Sequence, residues 1–281
     1  MNGIPLPGAI GEHARDILAG RVSPVAARDA ATVVILRDGP PGLEVYMIRR
    51  KASMAFAAGA YVFPGGAVDP RDADHAVAWA GPPAAEWGAT FGADESTARA
   101  LVCAAVRETF EESGVLLAGP DAGSVVADTT GPGWEDDRLA LIAKSLSFAE
   151  FLNRRGLVLR ADLLRPWAHW ITPEIESRRF DTRFFLAALP PGQRTRDVGG
   201  EADEVAWVRP AEAVERAHEG EIFLMPPTFH TLGELAEYGS VAEALATGRT
   251  IEAIMPAAVE VDGELRLLVP DMDYRMPGGR P

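Results

Sequence analysis

Two short runs of β-branched and apolar residues, 31–36 (ATVVIL) and 43–48 (LEVYMI), flank Arg37-Asp38-Gly39-Pro40-Pro41-Gly42. Apolar runs on either side of a Gly- and Pro-rich turn predict an antiparallel hairpin. A short strand at 61–63 then stops at Pro64-Gly65-Gly66. Residues 67–95 are rich in Ala, Gly, Pro and Asp and carry Trp79 and Trp87, which predicts a partly helical surface excursion. Ser96 is placed to cap a helix over 97–113 that Gly114 ends. At about 100° per residue, Val102, Cys103, Val106 and Phe110 share one face of that helix and should pack on the sheet. Two helical stretches are expected within 136–155, strands at 169–172, 182–189 and 205–208, and helices at 211–219, 228–238 and 241–247. A last hairpin is expected to carry 265–269. Strands and helices mix without strict alternation. The fold class is therefore α+β, a mixed sheet with helices on its faces.

The expected organisation is an N-terminal arm over 1–28, with a short helix at 12–19, and a single domain over 29–281. That domain would include the insertion at 67–95 and a helical C-terminal extension over 210–281. With 281 residues, 47% of them hydrophobic, there is enough apolar surface for one large core. The net charge of -14 repels a nucleic-acid backbone and argues against a nucleic-acid partner. It still admits a small anionic substrate, because local cations can reverse the potential inside a cleft. Cys103 is the only cysteine, so neither an internal disulfide nor a thiolate cluster can form, and it is expected in the core. No apolar run is long enough to span a bilayer, and residues 1–16 do not read as a secretory signal. The expected location is cytoplasmic, with no membrane partner. A homodimer is left open.

The chemistry concentrates in Arg107-Glu108-Thr109-Phe110-Glu111-Glu112-Ser113-Gly114-Val115. Glu108, Glu111 and Glu112 fall on one helix face, where like charges repel by a few tenths of a kcal/mol per pair. They also sit toward the C-terminal end, which disfavours negative charge. A bound hard cation, Mg2+ or Mn2+, would offset both costs. A solvated acidic face is the plainer reading of such spacing taken alone. No P-loop, G-x-S-x-G or dinucleotide fingerprint is present. His169, between Trp167 and Trp170, reads as a packed strand histidine.

With Gly66 upstream, this stretch resembles the box of the Nudix hydrolases, G-x5-E-x7-R-E-U-x-E-E-x-G-U, where U is aliphatic. The resemblance implies a Nudix-type α/β/α sandwich. It puts metal ligands on Glu108, Glu111, Glu112 and the Gly66 carbonyl, and a helix-bracing role on Arg107. The family spacing sets the arginine 14 positions after the glycine, whereas Arg107 stands 41 after Gly66, so 27 residues are inserted. Counted back from Arg107, the middle box glutamate falls on Arg99, so its role passes to Glu95 or stays vacant. Peroxisomal-type coenzyme A diphosphatases carry a long insertion at this point, and the chain resembles that branch. Arg49-Arg50-Lys51 ahead of 59–66 is similar to their signature, with Ala55 where it has a second basic residue. Residues 170–173 and 178–185 resemble the same branch. Glu201, six residues before Trp207, matches a position where several Nudix enzymes place a further glutamate.

These readings combine into one expectation. Mg2+ or Mn2+ would bridge a small-molecule diphosphate, and Glu112 or Glu201 would take a proton from the attacking water. Arg49, Arg50, Lys51, Arg178, Arg179 and Arg183 are the candidate phosphate clamps. Coenzyme A or an acyl derivative is the expected substrate. ADP-ribose or NADH hydrolysis is the alternative within the class, and a non-catalytic Nudix-fold binding module the alternative outside it.

Overall fold

The computed structural model describes residues 3–40, 42–51, 57–196 and 202–270. The chain begins with β1 (Ile4–Pro5) and α1 (Gly8–Leu18), then forms the hairpin β2 (Arg28–Gly39) and β3 (Gly42–Arg50). The pairing runs to Gly39 opposite Gly42, so the strands extend well past the two apolar runs. β4 (Ala60–Val62) and β5 (Gly65–Ala67) follow, then a single 3-10 turn at Pro70–Ala73, β6 (Trp79–Ala80) and α2 (Ala84–Phe91). Next come α3 (Glu95–Ser113), β7 (Ala118–Gly119), α4 (Pro132–Ile142), α5 (Phe148–Arg155) and β8 (Val158–Arg160). β9 (Arg165–Ile171), β10 (Phe180–Ala188) and β11 (Ala202–Val208) complete the sheet-forming middle. The last part holds α6 (Pro210–His218), β12 (Phe223–Leu224), α7 (Pro226–Leu235), α8 (Val241–Ala246), β13 (Ala253–Ile254), β14 (Ala257–Val261) and β15 (Glu264–Leu268).

The main sheet is mixed, in the order β12-β4-β3-β2-β10-β9-β13, with β11 on β3 and β5 on β2. Its centre is the parallel pair β2–β10. Alternation along β2 splits the core in two. Ala31, Val33 and Ile35 pack with α2, α3 and α5, while Val34 and Leu36 pack with α6, α7 and α8. The result is the expected α/β/α sandwich. β1 pairs with β15, and α1 leans on that small sheet through Ala14.

Two expectations fail. Residues 67–95 are not a surface excursion: Trp87 and Phe91 are buried, their ring centroids 5.5 and 5.2 Å from that of Phe185. Burying such side chains is worth about 1.5–3 kcal/mol each, so this segment completes the core. The cap of α3 is Asp94, which accepts from the Thr97 N–H at 2.9 Å, and Ser96 lies inside the first turn. The other end is as expected, with Gly114 left-handed at φ 74 and bonded back to Phe110.

Candidate active site

α3 is buried on most of its circumference, so its exit from the core decides where its carboxylates go. The last turns lie against β5, and β5 pairs with β2. Both glycines of β5 are required by close approach. A β-carbon on Gly65 would lie 2.5 Å from the Ala31 carbonyl oxygen, and one on Gly66 would lie 2.6 Å from Glu108 Oε1. Gly66 is thus the cradle of the Glu108 carboxylate. Beside it, the Gly65 N–H donates to Glu112 Oε2 at 2.9 Å. The strand–glycine–glycine segment and the acidic helix face, far apart in sequence, meet here.

Arg107 locks this junction. Its Nε and Nη2 donate to the two oxygens of Asp72 at 3.0 Å each, and Nη2 also donates to the Ala67 carbonyl at 3.1 Å. Its Nη1 donates to Glu108 Oε1 at 2.7 Å and Glu111 Oε1 at 3.1 Å. Burial opposes the guanidinium charge, but the bonds to Asp72 and the field of Glu108 and Glu111 outweigh it and hold Arg107 protonated. From behind, the buried Arg138 donates to the Glu111 carbonyl at 2.7 Å and fixes the end of the helix.

Asp72 escaped the sequence reading, and its signal was present. It stands six residues after Gly66, the G-x5-acid spacing of the box counted forward from the glycine. Counting back from Arg107 crossed the insertion and pointed to Glu95. Glu95 is exposed in the first turn of α3, thirteen residues from Glu108 and so about 20 Å away along the axis. It cannot serve this site. The inserted residues therefore fall between Asp72 and Arg107.

One arginine does not balance three carboxylates. Burial pushes the Glu108 carboxyl up to about 7, with Glu111 adding to the rise and Arg107 opposing it. Burial likewise raises Glu111 and Asp72. Among the described residues no three Asp, Glu, His or Cys side chains form a ready-made ion cage. Arg107 draws Glu108 and Glu111 to itself while Glu112 turns to the Gly65 amide. The donor set nonetheless fits a hard divalent cation: carboxylate oxygens in excess of positive charge, beside a backbone cradle that excludes any side chain. A pocket of about 190 Å³ opens onto Glu108 and Glu111, with Arg71 and Lys144 among its lining residues.

The basic candidates divide. On β3, Arg49 pairs with Tyr61 in register and lies on the α6–α7 side, 3.7 Å from Glu204. It lines a second cleft of about 580 Å³ with Tyr61, Arg216 and Phe223. There the Tyr61 hydroxyl donates to Glu204 at 2.8 Å, and burial followed by that bond raises its pKa. Alternation turns Arg50 toward the α3 side, so the two neighbours cannot grip one phosphate. Lys51 is half-buried just beyond β3, and Arg178 is exposed. Arg179 is buried and donates to the carbonyls of Thr172 at 3.0 Å and Val25 at 2.7 Å. Arg183, also buried, pairs with Asp29 at 2.8 Å and Asp181 at 2.9 Å, and Asp181 is hydrogen-bonded to His169. Buried, and already bonded or charge-paired within the fold, Arg179 and Arg183 hold strands together instead of clamping phosphate. Ala55 and Glu201 lie outside the described residues. Cys103 is fully buried, and burial pushes its thiol up to about 12, as befits a core residue.

Comparison with known proteins gives a consistent picture. A family model described as the NUDT19 Nudix domain matches residues 86–235. The chain is similar to the acyl-coenzyme A diphosphatase NUDT19 of Gallus gallus, 29% identical over 283 residues, which covers 84% of this chain and 74% of that protein. Against the Homo sapiens protein of the same name it is 30% identical over 278 residues, again 84% of this chain and 74% of the other. Among solved structures it is similar to a NUDIX hydrolase from Alicyclobacillus acidocaldarius, with 31% identity and a TM-score of 0.68. That match covers 80% of this chain and 98% of the other. No helix among the described residues is long and apolar enough to cross a membrane.

Proposed function

This chain belongs to the Nudix hydrolase family, and from that premise we propose that it is a divalent-metal-dependent diphosphatase of coenzyme A and its acyl derivatives. The observation that carries the reading is the meeting of Glu108, Glu111 and Glu112 with the Gly65-Gly66 cradle, where carboxylates outnumber cations. The substrate class is supported by relatives named acyl-coenzyme A diphosphatase.

In this reading Glu108, Glu111, Glu112 and the Gly66 carbonyl would hold Mg2+ or Mn2+. The ion would supply positive charge against the diphosphate and acidify a nearby water. The chain's own residues do the rest. Arg107 keeps the helix, the loop and the turn at 70–73 in register. Glu112 or Glu201 accepts a proton as the water oxygen attacks phosphorus and the bridging P–O bond breaks. The two phosphorus atoms leave on separate products, 3',5'-ADP and a phosphopantetheine or its acyl form. Gly66, with no side chain, leaves the room beside it to the Glu108 carboxylate.

The test is a substrate panel of coenzyme A, an acyl-coenzyme A, ADP-ribose and NADH, with Mg2+ or Mn2+ and products resolved by mass. Coenzyme A derivatives should show the highest kcat/KM and release 3',5'-ADP. A tenfold or greater preference for ADP-ribose or NADH would remove the coenzyme A assignment and leave the hydrolase. No hydrolysis of any of the four would favour a binding module.

A further inference from the structure

The pocket that exposes Glu108 and Glu111 carries at its mouth a cation, Lys144, held within the fold only by a long ion pair. Its charged lining is Asp69, Asp72, Glu108 and Glu111 against Arg71, Arg107 and Lys144. Arg107 is bonded as described. Arg71 is also committed: its Nε and Nη2 hold the two oxygens of Asp69 at 3.0 Å each, and its Nη1 donates to the Lys144 carbonyl at 3.1 Å. Lys144 differs. Its side chain is 73% exposed, and its ammonium stands 3.7 Å from Asp69, whose oxygens already accept from Arg71.

The backbone of Lys144 is unusual in the same direction. It follows Ala143, the C-cap of α4, at φ 57, in the left-handed region where helices normally end on glycine. The Lys144 N–H donates to the Leu141 carbonyl at 2.8 Å, and the Ser145 N–H to that of Ala140 at 3.0 Å, so the turn is fixed. Glycine would fit this turn better. The chain instead carries a long cationic side chain there, beside an opening onto the carboxylates, with its carbonyl pinned by Arg71. Strain held by a residue at a site mouth points to a role for that side chain.

We propose that Lys144 is a substrate-binding residue whose ammonium contacts a non-bridging phosphate oxygen of the diphosphate, with Arg71 as the residue that positions it. The proposal rests on the diphosphatase reading and deepens it. A diphosphate approaching Asp69, Glu108 and Glu111 meets negative charge, and a flexible point cation at the rim offsets it from the solvent side. Lys144 thereby takes the task that Arg179 and Arg183, buried and internally paired, cannot perform.

The experiment compares wild-type protein with Lys144→Gly and Lys144→Arg on coenzyme A and ADP-ribose, with Mn2+, at two salt concentrations. Lys144→Gly relaxes the backbone, so its melting temperature should equal or exceed wild type. Its KM should rise about tenfold, the scale of one lost charge-assisted contact to phosphate, while kcat stays within about threefold. The salt dependence of KM should become shallower, and Lys144→Arg should restore most of the affinity. A KM within twofold of wild type in Lys144→Gly overturns the proposal and leaves the diphosphatase reading standing. A lowered melting temperature with falling kcat and unchanged KM overturns it in favour of a structural role. No turnover of either compound by the wild-type protein overturns the diphosphatase reading, and this proposal with it.

Discussion

Two clusters of charge face the same side of the central sheet, and they shift their carboxyl groups in opposite directions. Around Arg107 stand Asp72, Glu108 and Glu111, three carboxylates on one guanidinium. Around Arg183 stand Asp29, Asp181 and His169, two carboxylates with a guanidinium and an imidazole. Strand register places Arg183 opposite Ala31 of β2, whose side chain packs in the same core layer as α3. The carboxyl pKa values record the difference. In the first cluster burial wins and Glu108, Glu111 and Asp72 are all raised. In the second, burial pushes Asp181 up, but the bonds and charges of His169 and Arg183 outweigh it and hold it low. A cluster whose partners hold its carboxyl low is structural. A cluster left short of positive charge is arranged for a cation or a substrate that arrives later.

The largest way to break this comparison is at Glu112. Glu112→Gln keeps the volume and the bond to Gly65 can persist, so the fold should survive. The loss of a metal ligand or base should lower kcat by at least ~10²-fold. Steady-state kinetics beside a circular dichroism spectrum checks both halves. Activity within a few-fold of wild type would remove the carboxylate face from the chemistry.

Next comes the cost of removing each arginine. Arg107→Met leaves buried carboxylates without their cation and should destabilise the metal-free protein by about 3–5 kcal/mol. Arg183→Met should cost less, because Asp29 is 42% exposed on its side chain and Asp181 keeps His169. Denaturant unfolding of both variants decides the order. A larger loss at Arg183 would reverse the account of which cluster is short of cations.

A smaller effect sharpens the comparison through its sign. Glu108 is raised from its ordinary 4.5 to about 7, so in metal-free protein it contributes stability that is present below 4.5 and lost as pH rises through 7. Asp181 is lowered, so it contributes stability that is present above its ordinary 3.8 and lost only as pH falls below that. The melting temperature of chelator-treated protein should therefore fall by a few degrees between pH 5 and 7.5. Glu108→Gln should flatten that slope, and Asp181→Asn should leave it unchanged. A slope of the opposite sign, or one untouched by Glu108→Gln, would contradict the assigned imbalance.

Much of this was legible in the sequence because it is short-range. The i, i+3, i+4 spacing put Glu108, Glu111 and Glu112 on one face, and the doubled glycine announced a close approach of backbone to another group. The strands were found where β-branched residues cluster, and their ends were not, since pairing extends β2 and β3 into the polar turn. What failed depended on tertiary partners. Trp87 and Phe91 look like surface residues in an Ala- and Pro-rich segment until Phe185 is beside them. Arg179 and Arg183 have the composition of a phosphate clamp, and only the positions of Val25, Thr172, Asp29 and Asp181 show that Arg179 is bonded, and Arg183 charge-paired, within the fold. Asp72 was within reach of counting, but the count had to start at Gly66, on the near side of the inserted residues.

The claim that the Arg107 cluster awaits a cation is tested most directly by calorimetric titration of Mn2+ into metal-free protein at pH 6.5, in two buffers of different ionisation enthalpy. Near that pH a carboxyl raised to about 7 is largely protonated, so binding at Glu108 must release protons. Wild type should bind Mn2+ with buffer-dependent heat, and a Glu108→Gln/Glu111→Gln variant should lose both the affinity and the proton release. Undiminished Mn2+ binding with the same proton release in that double variant would place the ion elsewhere and contradict the account.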